Sequence, residues 1–402
     1  MKYLIILADG MADHKIPELG NRTPIQAANI PNIDFLANRS IIGNVATIPE
    51  GFPPGSDVAN LSVLGYEPSL YYTGRSPLEA ASMGVELGES DLSLRCNLVT
   101  LSEDPIYTEK IMLDYSAGEI ESGIAAQLIQ ELEKQLGDDT FSFHPGISYR
   151  HLVVWRNGLG NEVKLTPPHD ISDQVIGPCL PQGQNSDKLT RLMIESEKLL
   201  AGHQINLSRK ENGSKPANSI WLWGEGKKPM LPSFRTKYGL NGSVVAAVDL
   251  VKGLGICAGL SPVAVKGATG SIHTDFSAKA RAAIEELKSG QDFVYLHIES
   301  PDESSHQGSL SDKLWSIEQI DEKVVGLVIE SLQAFPDIRI MILPDHATPI
   351  ATRTHSRDPV PFMIFDKNHP VVDGIGKYDE FSALNGVTIR AGHQLMDYFI
   401  GR

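Results

Sequence analysis

Six aspartate and histidine residues of the sequence are candidate ligands for divalent metals, and several of them are closely spaced. Asp302 and His306 are four residues apart, so on a helix opened by Pro301 they point from one face. The other four are Asp9, Asp345, His346 and His355. This set exceeds what one structural Zn²⁺ takes, but it fits two metals with mixed oxygen and nitrogen ligands. Since two-metal sites clamp the attacking and leaving oxygens of a displacement at phosphorus, the set predicts metal-dependent phosphoryl transfer.

Apolar runs precede three of these acidic residues and are typical of buried strands in a parallel sheet. The runs cover residues 3–8, 293–298 and 338–343, and Asp9, Asp302 and Asp345 follow them in that order. Ligands of open α/β sheets lie outside the carboxyl ends of the strands. The sequence therefore predicts an α/β fold, with a mainly parallel sheet flanked by helices and the metal ligands at one of its edges.

Ser56 is the candidate nucleophile. A turn rich in Pro and Gly over 51–55 precedes it, and the apolar spacing of the next residues predicts a short helix. Free N–H groups and the positive dipole end of a helix suit a phosphate, and a coordinated metal would lower the pKa of a serine hydroxyl. The alternative is that Ser56 and Asp57 serve only to cap the helix.

The pattern changes at about residue 78 and indicates an inserted α+β domain. It contains strand-like segments over 92–101 and 149–155, a helix over about 118–136, and a loop rich in Gly, Pro, Gln and Asn. We expect residues 78–185 to form this insertion and residues 1–77 and 186–402 to form the core. A predicted helix over 187–204 and a predicted strand over 220–223 are thereby assigned to the core.

Composition narrows the classes of partner. The chain has 402 residues, a formal net charge of −15 and three cysteines without a CxxC pair. Such an acidic protein is not expected to bind nucleic acid or an anionic membrane. No stretch approaches a membrane span, and the short N-terminal apolar run is not a signal peptide. We therefore expect a cytoplasmic protein with buried free thiols; the sequence does not predict its oligomeric state.

Seven motifs, spread along nearly the whole chain, carry a resemblance to a known family. They are Asp9-Gly10-Met11-Ala12-Asp13, Gly55-Ser56-Asp57 with Leu64-Gly65-Tyr66, Tyr72-Thr73-Gly74-Arg75-Ser76-Pro77-Leu78-Glu79-Ala80, Arg95-Cys96-Asn97, Pro301-Asp302 with His306, Asp345-His346, and His355. With these motifs the chain resembles the 2,3-bisphosphoglycerate-independent phosphoglycerate mutases, in the branch first known from archaea. The resemblance implies an alkaline-phosphatase-like core and interconversion of 3- and 2-phosphoglycerate, a step of glycolysis and gluconeogenesis.

The same resemblance implies a division of roles among the residues. One metal would be held by Asp302, His306 and His355, and the other by Asp9, Ser56, Asp345 and His346. Ser56 would carry the phosphoryl group, and the insertion would be a lid that grips the small phosphorylated substrate. The substrate-binding candidates are Arg95, Arg150, His169 and Asp170 of the insertion and Lys266 of the core. Manganese is the expected metal, and the ligand set also suits zinc, cobalt or magnesium.

Two other enzyme functions stay open at this point. The segment 299–303 departs from the archaeal branch and resembles a bacterial subgroup for which homoserine has been proposed as the acceptor. A homoserine kinase on the same core is therefore one alternative, and a metal-dependent phosphatase is the other. The chain has no GxxxxGK[ST] loop for a nucleotide, which favours the mutase over the kinase. A non-catalytic binding protein would not need so costly a cluster of carboxylates and imidazoles.

Overall fold

The computed structural model describes residues 1–371 and 375–401 and divides into two compact units. The first, called the core unit here, comprises Met1–Tyr72 and Met230–Arg402. The second, called the inserted unit, comprises Thr73–Pro229. Among the described residues, no helix combines the length and the apolar character that a membrane crossing requires.

The described residues form strands and helices with the following bounds. The strands are β1 Lys2–Ala8, β2 Ser40–Val45, β3 Leu92–Leu101, β4 Met112–Asp114, β5 Phe141–His144, β6 Arg150–Trp155, β7 Val163–Lys164, β8 Gln182–Gly183, β9 Ser219–Lys227, β10 Gly242–Val245, β11 Ser261–Pro262, β12 Phe293–Ile298, β13 Ile338–Leu343, β14 Val360–Asp366 and β15 Val387–Ile389. The helices are α1 Pro24–Ala27, α2 Pro31–Ala37, α3 Ser56–Val63, α4 Pro68–Tyr71, α5 Ser76–Ser82, α6 Ser122–Leu136, α7 Ser186–Leu200, α8 Gln204–Glu211, α9 Phe234–Tyr238, α10 Asp249–Cys257, α11 Phe276–Lys288, α12 Ser300–His306, α13 Leu310–Gln319, α14 Gly326–Ser331 and α15 Leu395–Ile400. A π-helical segment, Ile320–Val325, joins α13 to α14.

The core unit is built on one sheet with the strand order β11-β10-β12-β1-β13-β14-β2-β15. β1 is parallel to both of its neighbours, and Leu7 is in register with His297 of β12 and with Leu343 of β13. β14 runs antiparallel to β13 and β2, so the sheet is mixed but mainly parallel. The three apolar runs of the sequence are thus the three central strands, and the predicted fold class is confirmed.

Helices cover the sheet with apolar faces. On α11 the buried residues Phe276, Ala280, Ala283 and Leu287 recur at helical spacing and belong to the same hydrophobic cluster as β1, β12 and β13. The central strands are buried on both faces, which explains why their sequences are continuously apolar. This packing fixes the strands whose carboxyl ends carry the acidic residues.

Local sequence signals set the helix starts near these strand ends. Thr23 and Gln26 form a capping box at the start of α1. α3 begins at Ser56, as the turn before it indicates, and α12 begins at Ser300 with Pro301 in its first turn. The predicted strands and helices near the metal ligands are therefore confirmed to within one or two residues.

The inserted unit has an antiparallel sheet in which β3 is central, and its second boundary differs from the sequence prediction. β9 pairs with β3 from Leu92 to Val99, on the side of β3 opposite β6. α7 contributes Leu189, Leu192 and Met193 to the hydrophobic core of this unit. The assignment of residues 186–229 to the core was wrong, because a strand pairing this distant leaves no local signal in the sequence.

The two boundaries predict different behaviour of isolated fragments. We expect residues 73–229 to unfold cooperatively on heating, because the fragment contains all strands of its sheet. A fragment of residues 78–185 lacks β9 and α7, and we expect it to show no cooperative transition, since β3 then has an open edge and the core loses one wall. Circular dichroism melting curves of both fragments test this, and a cooperative melt of the shorter one would contradict it.

Candidate metal centre

The three acidic residues of the predicted site lie at the carboxyl ends of neighbouring strands. Asp9 directly follows β1 and its N–H donates to the carbonyl of Ile298, the last residue of β12. Asp302 lies in the first turn of α12, just after β12, and Asp345 follows β13. Gly10 has φ 62°, and a Cβ there would lie 2.6 Å from Asp302 Oδ1, so the two loops meet at a position that only glycine allows.

Two groups of side chains present ligand atoms within 4.8 Å of one another. The first group is Asp302, His346 and His355, and the second is Asp9, Asp345 and His346. His306 adjoins the first group, with its Nε2 3.2 Å from Asp302 Oδ2 and 3.0 Å from His355 Nε2. The structure therefore brings together all six residues that the sequence predicts as metal ligands, and His346 lies between the two groups.

The Nδ1 atoms of the three imidazoles of the site all face hydrogen-bond acceptors. Nδ1 of His306 donates to the carbonyl of Arg353 at 2.9 Å, and Nδ1 of His355 donates to the carbonyl of Pro54 at 3.4 Å. Nδ1 of His346 donates to Thr348 Oγ1 at 3.1 Å. In the neutral form each ring thus keeps its proton on Nδ1 and directs the Nε2 lone pair into the site, the arrangement expected of histidine metal ligands.

In the first group, Asp302 and His306 stabilise each other's charged forms. Burial opposes the ionisation of Asp302, but the hydrogen bonds from His306 and His355 outweigh it and hold the pKa of Asp302 well below its usual range. The hydrogen bond to Asp302 raises the pKa of His306 to about 9. Without a metal, a proton on His306 supplies the positive charge between these groups. A divalent ion would take its place.

The second group has an excess of negative charge. Burial, and then repulsion from Asp345 and Asp302, raises the pKa of Asp9 well above its ordinary value. Asp9 Oδ1 is buried and accepts no hydrogen bond from the described donors. A divalent ion commonly binds carboxylate oxygens and histidine nitrogens, and this group offers two carboxylates, an unused lone pair on Asp9 Oδ1 and a histidine nitrogen. The residues therefore fit a metal here as well.

Ser56 lies at the edge of this centre. Its Oγ is 3.0 Å from Nε2 of His346. Ser56 is also the first residue of α3, where the helix dipole favours an anion. Asn60, one turn further along α3, donates to the carbonyl of Ser56 and to Asp345 Oδ2, both at 2.8 Å. The same amide therefore ties the nucleophile's backbone to one of the acidic residues.

Three neutral donors around the acidic residues were not predicted from the sequence. Thr348 Oγ1 donates to Asp302 Oδ1 at 2.6 Å, Asn60 donates to Asp345, and His297 contacts Asp9. The hydroxyl of Tyr295 donates to Asn60 Oδ1 at 2.6 Å and fixes the orientation of that amide. A signal existed for His297 alone: it interrupts an apolar strand, where a polar side chain needs a partner.

The inserted unit places two of the five predicted substrate-binding residues against the ring of Trp223. The guanidinium of Arg95 lies 4.2 Å from the ring centre of Trp223, its neighbour across β3 and β9, and the ring of His169 lies 5.3 Å from the same tryptophan. Tyr115 contacts both His169 and Tyr149 through edge-on rings. The cluster thus holds one guanidinium, paired with Glu79, on an aromatic face and a histidine ring beside it.

Three further candidates lie at or beyond the border of this cluster. Arg150 is exposed and lies 5.1 Å from the ring centre of Tyr149. Asp170 is exposed, with its Oδ1 3.6 Å from His169 Nε2. Lys266 belongs to the core unit and is exposed, and it has no hydrogen bond or ion pair with the described residues. The substrate roles of all five candidates stay predictions.

Comparison with known proteins gives one consistent result. Residues 37–206 match the family model described as 2,3-bisphosphoglycerate-independent phosphoglycerate mutase. A relative from Geobacter sulfurreducens, named a probable enzyme of that kind, is 49% identical over 100% of both chains, and one from Methanosarcina mazei is 48% identical over 96% of both. The structure of the cofactor-independent phosphoglycerate mutase from Thermoplasma acidophilum is similar with a TM-score of 0.69 and 26% identity, covering 100% of this chain and 99% of that one.

Metal binding is expected to depend on pH through His306. Because its pKa is raised to about 9, the imidazole carries a proton at neutral pH that a metal must displace. The apparent Mn²⁺ affinity should therefore fall about tenfold for each pH unit below about 9, with release of a proton on binding. Calorimetry of the metal-free protein at several pH values, in buffers of different ionisation enthalpy, measures both quantities. Equal affinity at about pH 7 and about pH 8.5 would contradict the assignment.

Proposed function

The chain belongs to the family of 2,3-bisphosphoglycerate-independent phosphoglycerate mutases, which are isomerases, and we propose that it interconverts 3-phosphoglycerate and 2-phosphoglycerate through a phosphoserine at Ser56. The reaction is a step of glycolysis and gluconeogenesis. The observation that carries the proposal is the position of Ser56, 3.0 Å from the histidine that the two ligand groups share and at the positive end of α3. No other described serine hydroxyl contacts His306, His346 or His355.

The metals of this proposal are two divalent ions, manganese first, with zinc, cobalt or magnesium as alternatives. One would be held by Asp302, His306 and His355, and the other by Asp9, Ser56, Asp345 and His346. When bound, they would neutralise charge on the phosphoryl group and lower the pKa of the serine hydroxyl. The converging Nε2 atoms and the unpartnered oxygen of Asp9 support this assignment.

The phosphoryl group moves in two displacements. Ser56 Oγ loses its proton and forms a bond to the phosphorus of 3-phosphoglycerate, while the bond from phosphorus to the substrate's C3 oxygen breaks and that oxygen takes up a proton. Glycerate then reorients, and its C2 oxygen loses a proton and attacks phosphoserine, which releases Ser56. The dipole of α3 stabilises the phosphate on Ser56, and Asn60 holds the first turn of that helix in place.

The inserted unit would bind the rest of the substrate. Arg95, Arg150 and His169 can donate to the carboxylate and phosphate oxygens of phosphoglycerate, and the planar guanidinium of Arg95 suits two-point recognition of either group. Asp170 and Lys266 are proposed as further contacts. A mutase must also keep water from hydrolysing phosphoserine, which is the role that the sequence assigns to a lid.

Two other reactions would use the same centre. A homoserine kinase would transfer the phosphoryl group from a nucleotide to homoserine, and a phosphatase would release it to water. The names of the relatives favour the mutase. Each reaction gives a different product, so one assay distinguishes the three.

Replacement of the nucleophile is the direct test. Ser56→Ala should lower the conversion of 3-phosphoglycerate to 2-phosphoglycerate by more than about 10⁴-fold, because the variant has no atom to carry the phosphoryl group. The assay uses Mn²⁺-loaded protein without bisphosphoglycerate or nucleotide. Mass spectrometry of the wild type mixed with substrate should show one added phosphoryl group on the peptide that contains Ser56.

Ser62→Ala, on the same helix but outside the ligand groups, is the matched control and should keep most of the activity. Phosphohomoserine formed from homoserine and ATP, without mutase activity, would establish the kinase instead. Free phosphate as the main product would establish the phosphatase. Full mutase activity of Ser56→Ala would overturn the phosphoserine mechanism.

Substitution of Arg95 tests the substrate role of the inserted unit. Arg95→Met should raise KM for 3-phosphoglycerate about tenfold or more, the loss expected for one charged hydrogen bond. Arg95→Lys should raise KM by a smaller factor but still above the wild-type value, because lysine keeps the charge but not the planar contact with Trp223. Arg191→Met, an exposed arginine on α7 away from this cluster, is the control. An unchanged KM in both Arg95 variants would remove this residue from the binding site.

A further inference from the structure

A second buried histidine contacts the metal centre without belonging to either ligand group. His297 lies in β12, in register with Leu7 of β1, and none of its side chain is exposed. Its Nε2 is 2.9 Å from Asp9 Oδ2. An imidazole in an apolar strand costs desolvation free energy that one hydrogen bond only partly offsets, so its place there needs a reason beyond packing.

The two oxygens of Asp9 have different surroundings. Oδ2 faces His297, whereas Oδ1 accepts no hydrogen bond from the described donors and lies 3.6 Å from Nε2 of His346. Of the two oxygens, Oδ1 is therefore the one free to bind a metal within the group that Asp9 forms with Asp345 and His346. A carboxylate held in this way can offer a metal one oxygen in a fixed direction.

The orientation of His297 is opposite to that of the three proposed histidine ligands. Those rings donate from Nδ1 and direct Nε2 into the site, whereas His297 directs Nε2 to a carboxylate. The ionised carboxylate that binds a metal can only accept, so opposite it the neutral ring of His297 carries its proton on Nε2. His297 therefore acts on Asp9 as a hydrogen-bond donor and does not offer it a competing lone pair.

We propose that His297 is a positioning residue that fixes Asp9 for one-oxygen binding through Oδ1 and thereby sets the affinity of the metal site formed with Asp345 and His346. Without the donor, the carboxylate could rotate about its χ2 bond or present both oxygens. Residues that orient metal ligands typically contribute about 10- to 100-fold in metal affinity. The inference rests on the proposed metal centre but not on the phosphoserine mechanism.

Mn²⁺ titration of metal-free protein tests the inference, with free Mn²⁺ measured by electron paramagnetic resonance. We expect the wild type to bind two ions. His297→Leu, which fills the space without a donor, should weaken one of the two sites about 10- to 100-fold and leave the other unchanged. His297→Gln should recover much of the loss, because the glutamine amide can place an N–H near the position of Nε2.

His151→Leu is the matched control. His151 is a buried histidine of β6 in the inserted unit with no contact to the ligand groups, and its variant should bind both ions as the wild type does. Melting temperatures of the metal-free variants show whether each one folds. Wild-type affinity at both sites of His297→Leu would overturn the inference, and so would equal weakening at both sites or fewer than two ions bound by the wild type. If Ser56→Ala stays active while His297→Leu loses one site, the mechanism fails and the role of His297 stands.

Discussion

The concentration of buried negative charge at one sheet edge is the constraint that shapes this structure. Asp9, Asp302 and Asp345 are all buried, and an ionised carboxylate without a partner in such a place costs several kcal/mol. Each of them receives a neutral hydrogen bond from a side chain, which is His297 for Asp9, Thr348 for Asp302 and Asn60 for Asp345. These bonds orient the carboxylates but add no positive charge, so the centre must still bind protons or metal ions.

The sheet imposes this concentration through its register. β1 lies between β12 and β13 and is parallel to both, so three carboxyl ends reach the same edge. The acidic residues then come from segments almost 340 residues apart in the chain, since Asp9 and Asp345 form one group. Helices add His306 on α12 and Ser56 on α3, whereas His346 and His355 lie outside helices in the segment between β13 and β14. Substitutions that shift the central strands should therefore weaken metal binding even when every ligand residue is retained.

The sequence predicted what depends on local pattern and missed what depends on neighbours across space. The central strands, the capping box of Thr23 and the start of α3 were predictable because apolar period and helix-start residues lie within a few positions of one another. Thr348 and Asn60 were missed because a threonine or an asparagine has no recognisable spacing to its carboxylate. The boundary at 186 failed for the same reason, since β9 is assigned to the inserted unit only by its pairing with β3.

The two units of this acidic chain concentrate side chains of different charge. The core unit assembles carboxylates that attract cations, whereas the inserted unit assembles Arg95 and His169 on the faces and edges of aromatic rings. In a chain of net charge −15, an anionic substrate would be repelled unless cationic groups were concentrated where it binds. Trp223 serves this purpose because its ring stabilises a guanidinium that burial would otherwise disfavour, and Glu79, 3.0 Å from Arg95 Nε, keeps the guanidinium charged. Where the proposed phosphorylated substrate binds beside Arg95, this guanidinium would offset part of the repulsion from the acidic chain.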